Sequence, residues 1–466
     1  MIDKEYQQSK KIFNNFFPLV ARSLAFPNSF LSLSFFLSHH RVKPRPVRCF
    51  LSLSSHNVLL IFKTSLLQFH PLKKITSFNS LSIPSPSLPA SLLKTLLMDL
   101  RKLPLFLATV SVLFSVSRAC SNGECKELDK CTSDSDCGTG LYCFSCINEA
   151  FSGPICVRSD ITDQFKLVNN SLPFNKYAFL TTHNAYAIEG EPSHTGVPRV
   201  TITNQEDNIT QQLNNGVRGL MLDTYDFEGD VWLCHSFGGN CYDYTAFEPA
   251  IDTLREIEAF LSANPSEIVT IILEDYVHAP NGLTKVFTDA GLMKYWFPVT
   301  SMPQNGQDWP LVSGMVAKNQ RFIVFTSIKS KEQSEGIAYQ WNYMVENQYG
   351  DGGMKAGSCP NRAESAPMDD KTKSLVLVNY FKSVPIKVSA CIQNSADLAN
   401  MLPTCYAASG NRWANFVAVD FYKRSEGGGS FQAVDTLNGK LMCGCNDVHA
   451  CVPGSTSNSC TAPAPT

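Results

Sequence analysis

Five short apolar runs in this 466-residue sequence end in groups that can move protons or hold cations. Residues 177–182 run into His183-Asn184, and residues 217–222 run into Asp223-Thr224-Tyr225. Residues 231–234 lead to His235-Ser236, the run IVTIIL leads to Glu274-Asp275, and FVAV leads to Asp420. Of nine histidines, five follow Met98, and two of those five stand at such ends. Two imidazoles facing a phosphodiester imply divided labour. A neutral one takes the proton of a hydroxyl attacking phosphorus, and a protonated one gives a proton to the departing alkoxide. The charge that grows on the phosphoryl oxygens then needs an Arg, a Lys or a metal. One strand-end histidine is more often a structural hydrogen-bonder, so the succession of polar ends carries the reading.

Such groups converge only if the runs are strands of one sheet. Strands are expected at 177–182, 217–225, 231–234, 268–274, 321–326, 374–379 and 416–421. Unbroken β-branched runs suit a parallel sheet covered on both faces. Between them the clearest helix is 247–263, where Ile251, Leu254, Ile257 and Leu261 recur at helical spacing until Asn264-Pro265. Strand–helix alternation over about 250 residues predicts an α/β fold, a (β/α)₈ TIM-type barrel with its chemistry at the C-terminal mouth. A doubly wound sheet is the alternative, weakened because no GxGxxG follows an early strand.

The net charge of −2 leaves no basic footprint for nucleic acid. Of 17 cysteines, sixteen lie between Cys120 and Cys460, and seven crowd into residues 120–156. This density predicts disulfides and an oxidising compartment. A zinc cluster is the alternative, since Cys143 and Cys146 have CxxC spacing. Segment 120–158 has few large apolar residues, so cross-links must hold it together. Seven is odd, so one of its cysteines pairs elsewhere or stays free; Cys234 and Cys241, flanking a Gly-rich turn, are expected to pair.

Residues 1–97, poor in acids, read as a non-structured leader or gene-model extension, with a transit peptide as the alternative. Residues 98–119 have a signal peptide's layout: Arg101 and Lys102, an apolar core, then a cut before Cys120. Asn169-Asn170-Ser171 and Asn208-Ile209-Thr210 are glycosylation triplets. The expected product is a secreted or cell-surface monomer whose Cys-containing extension, 426–466, shows no GPI-type tail.

The order THNAY, GVRGLMLDTYDF, LCHSF and IVTIILED resembles the X domain of phosphatidylinositol-specific phospholipases C. In particular it resembles secreted plant-type members with a Cys-rich segment ahead of the barrel, over residues 165–425. The resemblance implies His183 as general base on the inositol 2-hydroxyl, His235 as general acid toward the diacylglycerol oxygen, and Asp420 orienting His183. It implies phosphatidylinositol or a glycosylated relative as substrate, met at a membrane surface. It also implies a calcium site at Asn184, Asp223 and Glu274. That site should be weak, because Met221 stands where the family has a further acid. Metal-free bacterial members place an Arg where this chain has Tyr225, so neither charge solution is complete. Tyr380, after LVLVN, is the candidate for stacking on inositol. A catalytically weakened barrel serving as a cell-surface binding protein is the alternative function, favoured by Met221 and Tyr225 and opposed by the two histidines.

Overall fold

The computed structural model describes residues 120–146, 153–158, 165, 171–425, 429–454 and 459–461. The leader, the signal segment, Asn169 and Asn170 lie outside the described residues. In the Cys-rich module, β1 (Leu141–Phe144) and β2 (Ile155–Arg158) pair antiparallel. The next ten strands are β3 (Phe179–Thr182), β4 (Val217–Phe227), β5 (Asp230–Cys234), β6 (Ala246–Pro249), β7 (Val269–Tyr276), β8 (Phe322–Thr326), β9 (Ala338–Tyr339), β10 (Met344–Glu346), β11 (Leu375–Asn379) and β12 (Phe416–Val419). Eight of them run parallel in the order β10-β11-β12-β3-β4-β7-β8-β9, with the last strand of the chain, β12, hydrogen-bonded to the first barrel strand, β3. The fold is therefore the expected α/β barrel, open between β9 and β10, which share no ladder among the described residues.

Three expectations need correction. The barrel strands β9 and β10 have two and three residues, too short to leave a pattern in the sequence. The run before His235 is not a barrel strand. Instead β5 folds back antiparallel on β4 after Glu228-Gly229, and β6 pairs antiparallel with it. The helix expected over 247–263 begins only at Ala250, because the preceding residues complete β6 and Pro249 stands at the helix start.

Side-chain alternation decides what faces the barrel interior. In β12, Val417 and Val419 join the cluster that contains the helix residues Leu254, Ile257 and Leu261, while Phe416 and Ala418 join Phe179, Ile272, Leu375 and Leu377 inside the barrel. The same parity continues past the strand ends. His183 follows Phe179 and Thr181, Asp420 follows Phe416 and Ala418, Asp223 follows Met221, and Glu274 follows Ile272. Backbones approach closely here, for a Cβ on Gly219 would lie 2.3 Å from Thr181 Oγ1.

All sixteen cysteines from Cys120 onward are paired. Within the module the bridges are Cys120–Cys125, Cys131–Cys143 and Cys137–Cys156. The odd cysteine, Cys146, bridges to Cys391 in the barrel, 245 residues away. Cys143 and Cys146 thus belong to different disulfides, which removes the zinc reading. Cys234–Cys241 pairs as expected, Cys359–Cys405 braces two barrel segments, and Cys443–Cys451 with Cys445–Cys460 tie down the carboxyl-terminal extension. No helix among the described residues is long and apolar enough to cross a membrane.

Candidate active site

His183 leaves β3 at the barrel mouth, and its ring is held on three sides. Its Nδ1 lies 2.9 Å from Asp420 Oδ1, a partner 237 residues away that leaves the neighbouring strand β12. Phe381 stacks on the imidazole at 3.6 Å between centroids with planes 5° apart. Asn204, fully buried, donates from Nδ2 to the same Asp420 oxygen at 2.9 Å. With Nδ1–H pointing at a carboxylate, Nε2 is left as the basic nitrogen. Asn184 and Phe421, directly after His183 and Asp420, have φ of 42° and 45°. Left-handed backbone at non-glycine residues costs on the order of 1–3 kcal/mol and persists only where the surroundings enforce it.

His235 arrives from the hairpin. Its Nδ1 lies 3.0 Å from the Ile202 carbonyl, to which it can donate, so Nε2 again is the nitrogen available for proton transfer. Thr201 Oγ1 donates to the His235 carbonyl at 2.7 Å, and Cys234–Cys241 closes the loop that follows. Burial, and then the charge of nearby His183, hold His235 below the ordinary imidazole pKa. Asn184 Nδ2 sits 3.4 Å from His235 Nε2.

The acidic groups lie on adjacent strands in register, with Asp223 opposite Glu274. Burial first, and then the Glu274 charge, push Asp223 well above the usual carboxylate range. Phenols surround the pair. Tyr186 donates to Asp223 Oδ2 at 3.0 Å, Tyr276 donates to Glu274, and Tyr225 stacks on Tyr276 at 4.5 Å. Asn184 Oδ1 is buried and accepts no hydrogen bond. A buried amide oxygen without a donor and two carboxylates, of which Glu274 favours the protonation of Asp223, are oxygen ligands of the type a hard cation takes. Met221, two residues before Asp223, packs partly buried against the apolar interior.

Two placements differ from expectation. Tyr380 is 5% exposed and packed in the core, so its ring offers no face to a sugar; its neighbour Phe381 is the aromatic residue that reaches the site. Asp275, beside Glu274, is consumed by Thr326 Oγ1 at 2.7 Å and by buried Lys331 at 3.1 Å. Sequence reasoning missed Asn204, Gln205, Tyr186 and Phe381. None ends an apolar run, and Asn204-Gln205 lie in a long loop whose only signal is two consecutive amides.

Fold and mouth together define an α/β barrel with two imidazoles and paired carboxylates where its strands end. The family model described as PI-PLC X 1 matches residues 174–438. A PI-PLC X domain-containing protein of Arabidopsis thaliana is 56% identical over 357 residues, 76% of this chain and 84% of that protein. The chain belongs to the PI-PLC X domain family. An uncharacterized secreted protein of Arthroderma benhamiae is 23% identical over 58% of this chain and 64% of its own. Among solved structures, the phosphatidylinositol-specific phospholipase C of Listeria monocytogenes matches with a TM-score of 0.39 and 14% identity, over 60% of this chain and 98% of that one.

Proposed function

We propose that the chain is a phosphoric diester hydrolase/lyase that cleaves phosphatidylinositol-type lipids by intramolecular attack at a membrane surface, outside the cell. His183 Nε2 takes the proton of the inositol 2-hydroxyl as that oxygen bonds to phosphorus. The phosphorus–diacylglycerol oxygen bond breaks, and His235 Nε2–H delivers the proton to the departing oxygen. The products are inositol 1,2-cyclic phosphate and diacylglycerol. The observation that carries this reading is the pair of imidazoles, each tied at Nδ1 and each left with a functional Nε2. Asn184, Asp223 and Glu274 are the residues that would hold a calcium ion, whose charge would offset that of the phosphoryl oxygens. The absent acid at Met221 makes the proposed site weak.

A second reading, a surface-binding barrel with little turnover, is favoured by one observation: Tyr186 and Tyr276 already occupy the carboxylates. Incubation of the protein with phosphatidylinositol vesicles, with and without calcium, separates the two. Release of inositol 1,2-cyclic phosphate supports the enzyme. Vesicle binding without any product supports the binding protein.

A further inference from the structure

We infer that Asn204, seconded by Gln205, is the positioning residue of the His183–Asp420 pair, an inference that rests on the acid–base reading above. The pair spans a seam. His183 leaves the first barrel strand and Asp420 the last, and the β12–β3 ladder stops at Val419 and Thr182, one residue short of both. Beyond that point the backbone supplies only the bond from His183 N to the Val419 carbonyl, 3.1 Å. The two amide side chains continue the fastening where the ladder ends.

Gln205 holds the backbone. Its Nε2 donates to the His183 carbonyl at 2.9 Å and to the Val419 carbonyl at 3.1 Å, one from each strand end. Asn204 holds the functional groups. Its Nδ2 donates to Asp420 Oδ1 at 2.9 Å, the oxygen that faces His183 Nδ1, while Asp420 Oδ2 is buried and makes no hydrogen bond. Asn204 Nδ2 also lies 3.2 Å from His183 Nδ1, so amide and imidazole meet at one Asp420 oxygen and the amide adds a second bond that holds the carboxylate toward the ring. The Asn204 carbonyl accepts from Phe421 N at 2.8 Å, which supports the left-handed turn just after Asp420. Its own N–H donates to the Ala187 carbonyl at 2.8 Å, anchoring the loop to the chain beyond His183. Asn204 Oδ1 lies 3.5 Å from Asn184 Nδ2, the amide that reaches toward His235. Both residues are fully buried, where losing a donor's hydrogen bond is costly, although Gln205 Oε1 itself accepts none.

A positioning role makes a statement that a merely structural one does not. Holding the base correctly matters in the transition state and adds nothing to substrate binding, so kcat should fall and KM should not move. Two variants test this. Asn204→Leu keeps the volume and removes donor and acceptor. Asn204→Asp keeps the shape and replaces the donor with an acceptor that cannot hold Asp420. Each should lower kcat per folded molecule by about 10- to 100-fold with KM within about twofold of wild type, a part of the about 10²–10⁴-fold that an acid–base group contributes. Nitrogen-15-labelled histidine gives a readout without turnover. The His183 Nδ1–H resonance, protected by Asp420 in the wild type, should broaden into solvent exchange in Asn204→Leu while the melting transition stays cooperative. Variants that keep this resonance, or whose fall in apparent kcat equals the fraction of folded protein lost, overturn the inference. A wild type with no turnover sinks the acid–base reading alone, because the resonance still reports whether Asn204 holds the pair.

Discussion

The barrel mouth and the Cys-rich module are held together by opposite means. At the mouth, polar side chains sit on strands whose other face is packed with Val and Leu, and they are fixed by hydrogen bonds in a buried setting. The module has a small core made mainly of cysteine sulfur, with Cys125, Cys131, Cys137 and Cys156 at its centre. It is joined to the barrel by Cys146–Cys391 and by two barrel cations, themselves ion-paired within the barrel, that lie over its rings. Arg424 pairs with Glu206 through both Nε and Nη2, Lys423 meets Asp207 at 2.7 Å, and the same two cations face the rings of Phe144 and Tyr142. Glu206 and Asp207 directly follow the Asn204-Gln205 clasp. A module stabilised by constraining its unfolded state is thus docked on a loop that must be stabilised in its folded state. Order in one region should therefore be separable from order in the other.

The largest effect belongs to the mouth. His183→Ala and His235→Ala should each lower turnover of phosphatidylinositol by about 10²–10⁴-fold without unfolding the barrel. Because His235 is held below the ordinary imidazole range and must carry a proton to act as the acid, kcat/KM should decline with rising pH through a value under about 6.5. Full activity in a folded variant would mean that the pair is wrongly assigned.

Next comes the module. Replacing Cys137 and Cys156 by Ser removes a bridge closing 19 residues and should cost the module about 3 kcal/mol. Hydrogen exchange should quicken in residues 120–158 and stay slow in the barrel strands. Equal loss of protection in both regions would break the contrast drawn above.

A smaller effect probes the proposed cation. Met221 and Asp223 share a strand face, so Met221→Glu aims a carboxylate at the same side of the mouth. The new group enters an apolar layer, so the melting temperature should drop without calcium and recover as calcium is added. A stable variant with unchanged calcium affinity would remove the calcium reading.

The smallest effect lies on the hairpin that carries His235. Burial raises Glu248 on β6 to about 7 from 4.5. A raised folded-state pKa gives stability that is present below pH 4.5 and lost as pH rises through 7. Glu248→Gln should flatten this slope, a difference of about 1–2 kcal/mol between pH 4.5 and 8 given its partial exposure. Unchanged pH dependence in the variant would show that Glu248 is better solvated than its burial implies.

Much of the barrel was legible because its strands are unbroken β-branched runs and its helices keep a regular apolar stripe. His183, Asp223, Glu274 and Asp420 could be named because each stands where an apolar run ends and because the motifs around them resemble a known family. The even parity of sixteen cysteines, and that the module's seven leave one to pair elsewhere or stay free, were likewise written in the order of residues. What the chain order could not decide is which distant groups meet. That Cys146 finds Cys391, that Phe381 and not Tyr380 stacks on His183, and that β5 turns back to bring His235 to the mouth depend on packing between elements far apart in sequence. Asn204 and Gln205 illustrate the reason most plainly. A buried amide's role is set by the donors and acceptors around it, and those come from both ends of the barrel's closing seam.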